Sequence, residues 1–371
     1  MKTGIVGRNK LTTLITCLSA LVSANVYAQK VTIDELVYYL DTNSHEATVY
    51  SGNNCSGELD IPSEVSHNGD NYTVKSIFWA AFYDCNELTK VRIPKTVEGV
   101  NHIGFSTRAV SPDYMNPFKG CTSLESIEVD ENNPNLCSIE GVLYSKDRSE
   151  LYCYPSGKKG ETFVVPNSVK WIGGLAFSSS VNLVSVRIPA TVTKICGQAF
   201  EECTRLETVN IPETLAFLTS RLFANCSSLK SIDIPASVTR LAGQVFIGCS
   251  SLKRLDLPES VRTIGALPFS GCKLESLVIR GLLEEQSVGS TLFYGLGNST
   301  TVYTLPSQIN LFSQYFSGKI CSLAEYEMAG IHSSTITPVR YASTIHDLQG
   351  RRLQTPPHKG VYISGGKKLV R

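Results

Sequence analysis

Two residue types in this chain could carry chemistry, histidine and cysteine, and they are distributed in opposite ways. The six histidines are scattered, and no two of them have the spacing of zinc ligands. Any fold could still bring a serine, a histidine and an aspartate together in space, so a hydrolase triad is not excluded by the sequence. The pattern nevertheless favours a protein that is not an enzyme, and it predicts no cofactor and no metal site.

Other catalytic motifs are equally weak. The glycine pairs at residues 173–174 and 365–366 lack the lysine and serine that follow a phosphate-binding loop. Glycoside hydrolysis needs two carboxyl groups at a defined separation. Asp233 and Asp256 lie one repeat apart and are expected only as neighbours on stacked strands. A glycan-cleaving enzyme is therefore a distant alternative.

The cysteines, in contrast, have a regular spacing. Six of the twelve lie three residues after a phenylalanine, which predicts one buried column of small side chains. Neighbouring sulfurs in such a column would lie close together, so a disulfide between adjacent repeats remains an alternative. The column consists of Cys85, Cys121, Cys203, Cys226, Cys249 and Cys272.

The elements that must position these residues are internal repeats. Five phenylalanines lie 23 residues apart, and five prolines from Pro166 to Pro258 keep the same step. A fixed period of this length is typical of stacked repeat proteins. Two further phenylalanines precede the regular run in the same motif. The whole column is Phe82, Phe118, Phe177, Phe200, Phe223, Phe246 and Phe269.

Each repeat has three parts with different physical roles. A Leu-x-x-Val-x-Ile-Pro segment alternates apolar and polar residues and predicts a short strand with one buried face. The proline closes this strand because it has no N–H to donate. Ser/Thr-Val-x-x-Ile predicts a second short apolar edge, and Ala-Phe-x-x-Cys predicts a brief helical turn.

The predicted fold is a leucine-rich-repeat-like solenoid. We expect a right-handed stack of about eight rungs of 23 residues, with one continuous parallel sheet, one projecting β-hairpin and β caps at the ends. The predicted organisation is a signal peptide at 1–28, a hairpin cap at 29–57, the solenoid at 58–305 with the inserted hairpin at 130–165, a C-terminal cap and linker at 306–340, and a short β tail at 341–371.

The N-terminus predicts export. Lys2, Arg8 and Lys10 precede an apolar run at residues 11–22, and Ala28 is the expected cleavage point. Cys17 leaves a lipoprotein site open as an alternative. The apolar run is short for a membrane span, so we expect no transmembrane helix in the mature chain. A formal net charge of +1 argues against a nucleic-acid partner.

The repeat sequence resembles the BspA-like leucine-rich repeat family, most clearly at residues 195–203 and in the next repeat. Residues 133–144 and 154–159 look like a hairpin that recurs in that family. The resemblance implies a secreted or surface-exposed bacterial protein that binds host or neighbouring-cell proteins, as adhesins of the family do. Residues 345–353 and 359–370 resemble the end of the C-terminal sorting domain used by type IX secretion in Bacteroidetes. By pattern alone, this tail is two or three short strands.

Polar residues that point outward from the predicted strands form the candidate binding face, because they change from rung to rung while the core does not. Its partner would be a host matrix or cell-surface protein, or a glycan, and the inserted hairpin is a second candidate contact. A structural or assembly component of the bacterial cell envelope is the alternative function. The candidate residues are Lys90, Arg92, Glu128, Arg187, Asn210, Asp233, Arg254 and Asp256.

Overall fold

The computed structural model describes residues 28–52, 55–102 and 116–329, together with four short strands between residues 345 and 370. The predicted signal peptide, apart from Ala28, lies outside the described residues, as does the predicted linker after residue 329. Two helices are described, α1 (Pro306–Phe312) and α2 (Leu323–Met328), and a 3-10 turn spans Glu285–Ser287.

The strands are short and are numbered in chain order. The first fourteen are β1 (Ala28–Ile33), β2 (Leu36–Asp41), β3 (Glu46–Gly52), β4 (Gly57–Asp60), β5 (Glu64–His67), β6 (Asp70–Phe78), β7 (Leu88–Ile93), β8 (Gly99–His102), β9 (Ser126–Val129), β10 (Leu136–Ile139), β11 (Val142–Ser145), β12 (Glu150–Cys153), β13 (Thr162–Val164) and β14 (Trp171–Ile172). The others are β15 (Ser185–Arg187), β16 (Lys194–Ile195), β17 (Thr208–Val209), β18 (Phe217–Leu218), β19 (Arg240–Leu241), β20 (Arg254–Leu257), β21 (Thr263–Ile264), β22 (Ser276–Ile279), β23 (Thr301–Thr304), β24 (Lys319–Ser322), β25 (Ile345–His346), β26 (Arg352–Leu353), β27 (Val361–Ser364) and β28 (Lys367–Val370).

Successive repeats stack as parallel strands in register. Ser185 on β15 pairs with Thr208 on β17, and Trp171 on β14 pairs with Lys194 on β16, so one period of sequence equals one step of the stack. The alternation of apolar and polar residues places Val186 and its equivalents inward and their neighbours outward. The leucine-rich-repeat fold with parallel strands is therefore confirmed.

The sequence predicted one continuous outward-facing sheet, but the structure has a discontinuous one. Its strands form three separate ladders, β4-β7-β9, β13-β15-β17 and β20-β22-β23-β24, and residues 231–234 belong to no strand. The first break coincides with the inserted hairpin. Next to the second break, just after β17, the side-chain amide of Asn210 bonds back to the preceding rung: it accepts from the N–H of Ile188 and donates to its carbonyl, both at 2.8 Å.

The inserted hairpin does not project from the stack, and this prediction was wrong. Strands β10, β11 and β12 pair antiparallel, but β12 then pairs in parallel with β14, inside the stack. Val142 and Tyr144 are buried on one side, and Leu143 is buried on the other. Because side chains of a strand alternate between its faces, the hairpin joins two cores instead of extending into solvent.

Two large apolar cores run through the described residues. Phe82 and Phe118 stack at 5.2 Å between ring centroids in the N-terminal core. The C-terminal core contains Tyr154 and a stack of five phenylalanines, with centroids 4.8–6.5 Å apart from Phe177 to Phe269. The predicted single column is therefore divided by the hairpin. Parallel rings at this separation exclude water and fix the distance between rungs.

The Ala-Phe-x-x-Cys segments are not helical. Around Phe200, both Gln198 (φ 61°) and Glu202 (φ 63°) have left-handed backbone, and the segment forms two hydrogen-bonded turns instead of the expected helical turn. The N–H groups of these three residues donate to carbonyls of the following turn at 2.8–3.0 Å. The peptide groups thus bond along the stack, which is why the left-handed residues recur in each repeat.

The two ends have different structures. Before the first rung, β1, β2 and β3 form an antiparallel meander that includes the strands predicted at residues 37–40 and 47–50. At the other end, β24 pairs in parallel with β23, so the ladder continues past the predicted boundary at residue 305. The tail has four strands instead of two or three, in the order β26-β25-β27-β28. Within the described residues, neither helix has the length of a membrane span.

Candidate binding surfaces

The strand face is the outward side of the ladders formed by β4, β7 and β9, by β13, β15 and β17, and by β20, β22, β23 and β24. In its N-terminal part, the candidate residues pair with one another. Arg92 donates to Asp60 at 2.8 Å and to Glu128 at 3.2 Å, and it also pairs with Glu58. Lys90 lies 3.2 Å from Glu128. Hydrogen bonds to Asp60 and Glu58 raise the pKa of Arg92 above its usual range. These charges are satisfied within the face.

The C-terminal part of the strand face is covered by the chain itself. Asp256 accepts two hydrogen bonds from Arg280, both at 2.8 Å, and Arg254 lies 3.5 Å from the hydroxyl of Tyr326 on α2. Val278 and Tyr303, which point outward from the ladder, are buried with Tyr326 in a small apolar cluster. Two of the predicted binding residues, the exposed Arg254 and the half-buried Asp256, therefore have partners within the chain next to this covered patch.

Two of the predicted strand-face residues are open. Among the described residues, neither Arg187 nor Asp233 has an ion-pair partner. Asp233 is exposed, and Arg187 is half-buried beside the exposed Val164 on the neighbouring strand. Asn210 lies between them in sequence order but bonds to the backbone of Ile188. The structure therefore divides the eight predicted residues into a paired group, a covered group and this open centre.

A second surface was missed in the sequence. We call it the basic edge: the two outward residues of each Ser/Thr-Val-x-x-Ile segment over five consecutive rungs. These pairs recur with the period of the repeat, which is the signal that could have identified them, but they lie on strands of only two residues. They are Lys170 and Trp171, Thr193 and Lys194, Ala216 and Phe217, Thr239 and Arg240, and Arg262 and Thr263.

The basic edge combines one exposed and one half-buried aromatic ring with cations that have no carboxylate partner within the described residues. The ammonium of Lys194 lies 4.2 Å from the centroid of the Trp171 ring, a cation–π contact. Phe217 is 51% exposed, which is unusual for a phenylalanine in a stack whose other phenylalanines are buried. Arg240, which pairs with Phe217 across the ladder, is exposed and has no carboxylate partner within the described residues.

On the side of the stack formed by the Ala-Phe-x-x-Cys turns, a buried carboxylate links the region of the N-terminal core to that of the C-terminal core. Glu201, whose side chain is 2% exposed, pairs with Arg221 and lies 3.0 Å from the ammonium of Lys119, which comes from the N-terminal core region. Burial raises the pKa of Glu201, but hydrogen bonds and charge from Arg221 and Lys119 outweigh it, so the net pKa lies below the usual value.

The thiols of the cysteine column form hydrogen bonds between neighbouring rungs. Cys203, Cys226, Cys249 and Cys272 each donate a hydrogen bond to the carbonyl of the phenylalanine in the preceding rung, at 2.9–3.1 Å. The thiols of all these residues are free. Burial raises the pKa of Cys203 to about 12, so the thiolate that a nucleophile requires is not populated at neutral pH. Within the described ranges, no group of three acidic, histidine or cysteine residues could hold a metal ion.

Comparison with solved structures found several bacterial leucine-rich repeat proteins. A leucine-rich repeat protein from Bacteroides ovatus is 22% identical with a TM-score of 0.43, and the match covers 79% of this chain and 67% of that one. The pneumococcal vaccine antigen PcpA is 17% identical with a TM-score of 0.48, covering 79% and 98%. A leucine-rich cell surface protein from Faecalibacterium prausnitzii is 20% identical with a TM-score of 0.41, covering 76% and 97%.

No curated protein matched the chain. The family model of the BspA type leucine-rich repeat region matches in 6 copies, over residues 58–111, 170–300 and 217–337. These ranges include the phenylalanine stack, the basic edge and much of the strand face, and they cover more than half of the chain. The chain belongs to the BspA type leucine-rich repeat family.

Proposed function

We propose that this chain is a non-enzymatic, exported or cell-surface scaffold that binds protein and mediates adhesion to host or neighbouring cells. One observation carries the proposal: a stacked interior that repeats from rung to rung lies under outward positions that change from rung to rung. Such an arrangement fixes the geometry of a surface while leaving its chemistry variable, and repeat scaffolds use it to bind proteins.

The proposal includes an overall form: a right-handed solenoid of about eight rungs, closed by β caps. It also includes export directed by residues 1–28, with cleavage near Ala28. A regular stack buries its apolar surface only between neighbours, so its ends need covering elements. The meander β1–β3 at one end and α2 at the other are suited to that role.

The open centre of the strand face is the part of the predicted binding site that we retain. Arg187 and Asp233 are available there, whereas Lys90, Arg92, Glu128, Arg254 and Asp256 have partners within the chain. A partner that replaced those internal ion pairs would first have to break them. A glycan is an alternative ligand for this face, and the buried hairpin no longer serves as a projecting contact.

Binding by the full mature chain to purified host matrix proteins and to solubilised envelope fractions tests the function. We expect saturable binding to at least one host protein, with the affinity reduced by Arg187→Glu or Asp233→Lys if the strand face contributes. The matched control is Lys273→Glu, because Lys273 is exposed and lies on neither face. Binding to envelope components alone would favour the alternative, a structural or assembly component of the cell envelope.

A further inference from the structure

The charges of the basic edge are left unbalanced by the fold. No carboxylate of the described residues forms an ion pair with Lys170, Lys194, Arg240 or Arg262. Arg262 donates to the backbone carbonyl of Glu259, which leaves its charge uncompensated. Over five consecutive rungs, this surface presents four cations and no acidic residue at an outward position. This surface therefore favours a negatively charged ligand.

An apolar side chain lies in the middle of these cations. Phe217 pairs with Arg240 across the ladder of β18 and β19, at the parallel-strand spacing of about 4.8 Å, and Lys194 lies one repeat earlier, on the last strand of the preceding ladder. Ala216 beside it is also exposed. Aromatic and arginine side chains are the residue types that dominate the energy of protein interfaces. An apolar contact surrounded by charge is the usual anatomy of such an interface.

This combination favours an acidic protein segment over other anionic ligands. A sulfated polysaccharide would neutralise the cations but would leave Phe217 in water. The ring of Trp171 is not available as a sugar platform on one side, because the Lys194 ammonium lies over it. Nucleic-acid binding depends on neutralising many phosphates, and four cations in a chain of net charge +1 supply little of that attraction.

We propose that the basic edge docks an acidic protein segment that carries one apolar side chain, with that side chain on Phe217 and carboxylates on Lys194 and Arg240. The proposal rests on the proposed function as a protein-binding scaffold, and it places the principal contact on the edge formed by β14, β16, β18, β19 and β21 instead of on the strand face. Lys170 and Arg262 extend the positive surface at either end.

The test measures binding of a fluorescein-labelled peptide to the full mature chain by anisotropy at ionic strengths of about 0.01 M and about 0.15 M. The probe has aspartates and glutamates around a central leucine. Three comparison probes are the same peptide with serine in place of leucine, a lysine peptide with the same leucine, and a heparin fragment. Protein variants are Lys194→Glu with Arg240→Glu, Phe217→Ser, and Lys273→Glu as a charge reversal at an exposed lysine that lies on neither surface.

We expect the acidic leucine peptide to bind, with an affinity that falls by about tenfold or more in the double charge reversal and about fivefold in Phe217→Ser. Lys273→Glu should leave the affinity unchanged. The inference is overturned if no binding occurs, if the serine peptide binds equally well, or if heparin binds more tightly and independently of Phe217. Loss of binding to host proteins in Arg187→Glu but not in Arg240→Glu would retain the proposed function and refute this site.

Discussion

The strand face and the basic edge are two surfaces of the same repeats, yet their charged residues are paired to different extents. On the strand face, Arg92 is surrounded by Glu58, Asp60 and Glu128, and Asp256 is paired with Arg280. On the basic edge, Lys194 and Arg240 have no carboxylate partner in the described part of the chain. The charges of the strand face are largely neutralised by ion pairs within the chain, whereas the cations of the basic edge remain available to a partner.

This difference changes where a binding site is expected. In repeat proteins, the longer strands carry the more regular polar pattern and are the first place to look for a partner. Here their charged positions are largely occupied by neighbours or by α2, and the shorter strands carry the open cations and the exposed Phe217. Exposure and pairing, not strand length, separate the two surfaces.

The largest expected effect comes from the C-terminal core, which lies under the basic edge and under the open centre of the strand face. Phe223→Ala removes a buried ring that stacks on Phe200 and Phe246, and it should lower the free energy of unfolding by about 3–5 kcal/mol. Urea unfolding followed by circular dichroism measures this loss, with Phe217→Ala as the exposed control. If the control were equally destabilised, Phe217 would be part of the core and the comparison between the surfaces would fail.

A smaller effect is expected at the buried carboxylate on the turn side. Glu201→Gln leaves the charges of Arg221 and Lys119 unbalanced and should lower the free energy of unfolding by about 2–3 kcal/mol at neutral pH. The loss is smaller than for a fully buried pair because both cations are partly exposed. Arg92→Gln on the exposed strand face is the control and should change stability less.

The same variant has a pH signature with a definite sign. The pKa of Glu201 is lower in the folded chain than its unfolded value of about 4.3, so its contribution is present above that pH and is lost as the pH falls through the folded pKa. The stability difference between wild type and Glu201→Gln should therefore shrink on acidification below about pH 4. A difference that grew on acidification would contradict the assignment.

The smallest effect is expected at the cation–π contact on the basic edge. Lys194→Met removes the ammonium above Trp171 and should change the free energy of unfolding by about 0.5 kcal/mol, the range found at exposed sites. Tryptophan fluorescence should report the change in the environment of Trp171 directly. The control is Lys170→Met, which alters an exposed lysine for which the structure describes no ring contact. An equal spectral shift in both variants would contradict a specific contact between Lys194 and Trp171.

The sequence predicted the stack well because one period controls several properties at once. Phe177 to Phe269 and Cys203 to Cys272 recur at 23 residues, and the step of the structure is the same. The left-handed turns were harder to predict, since Leu175 and Arg221 adopt positive φ without being glycine. That conformation is imposed by hydrogen bonds to the next rung, which are not encoded locally.

The binding surfaces were predicted less well than the fold. Outward positions such as Arg92 and Arg187 look equivalent in the sequence, but Arg92 gains partners because the neighbouring strands place Asp60 and Glu128 directly opposite it. The contact of Arg254 with Tyr326 depends on a helix more than sixty residues further along the chain. Contacts between rungs of different length and contacts from the ends do not follow the period, so the period could not reveal them.

Two matched arginine reversals test the central comparison most directly, with the unfolding midpoint and the affinity for the acidic leucine peptide measured on the same preparations. Arg92→Glu should lower the midpoint, because it places a fourth carboxylate beside Glu58, Asp60 and Glu128, and it should leave peptide affinity unchanged. Arg240→Glu should leave the midpoint unchanged and weaken peptide binding severalfold. A lowered midpoint in Arg240→Glu, or peptide binding that depends on Arg92 and not on Arg240, would contradict the account.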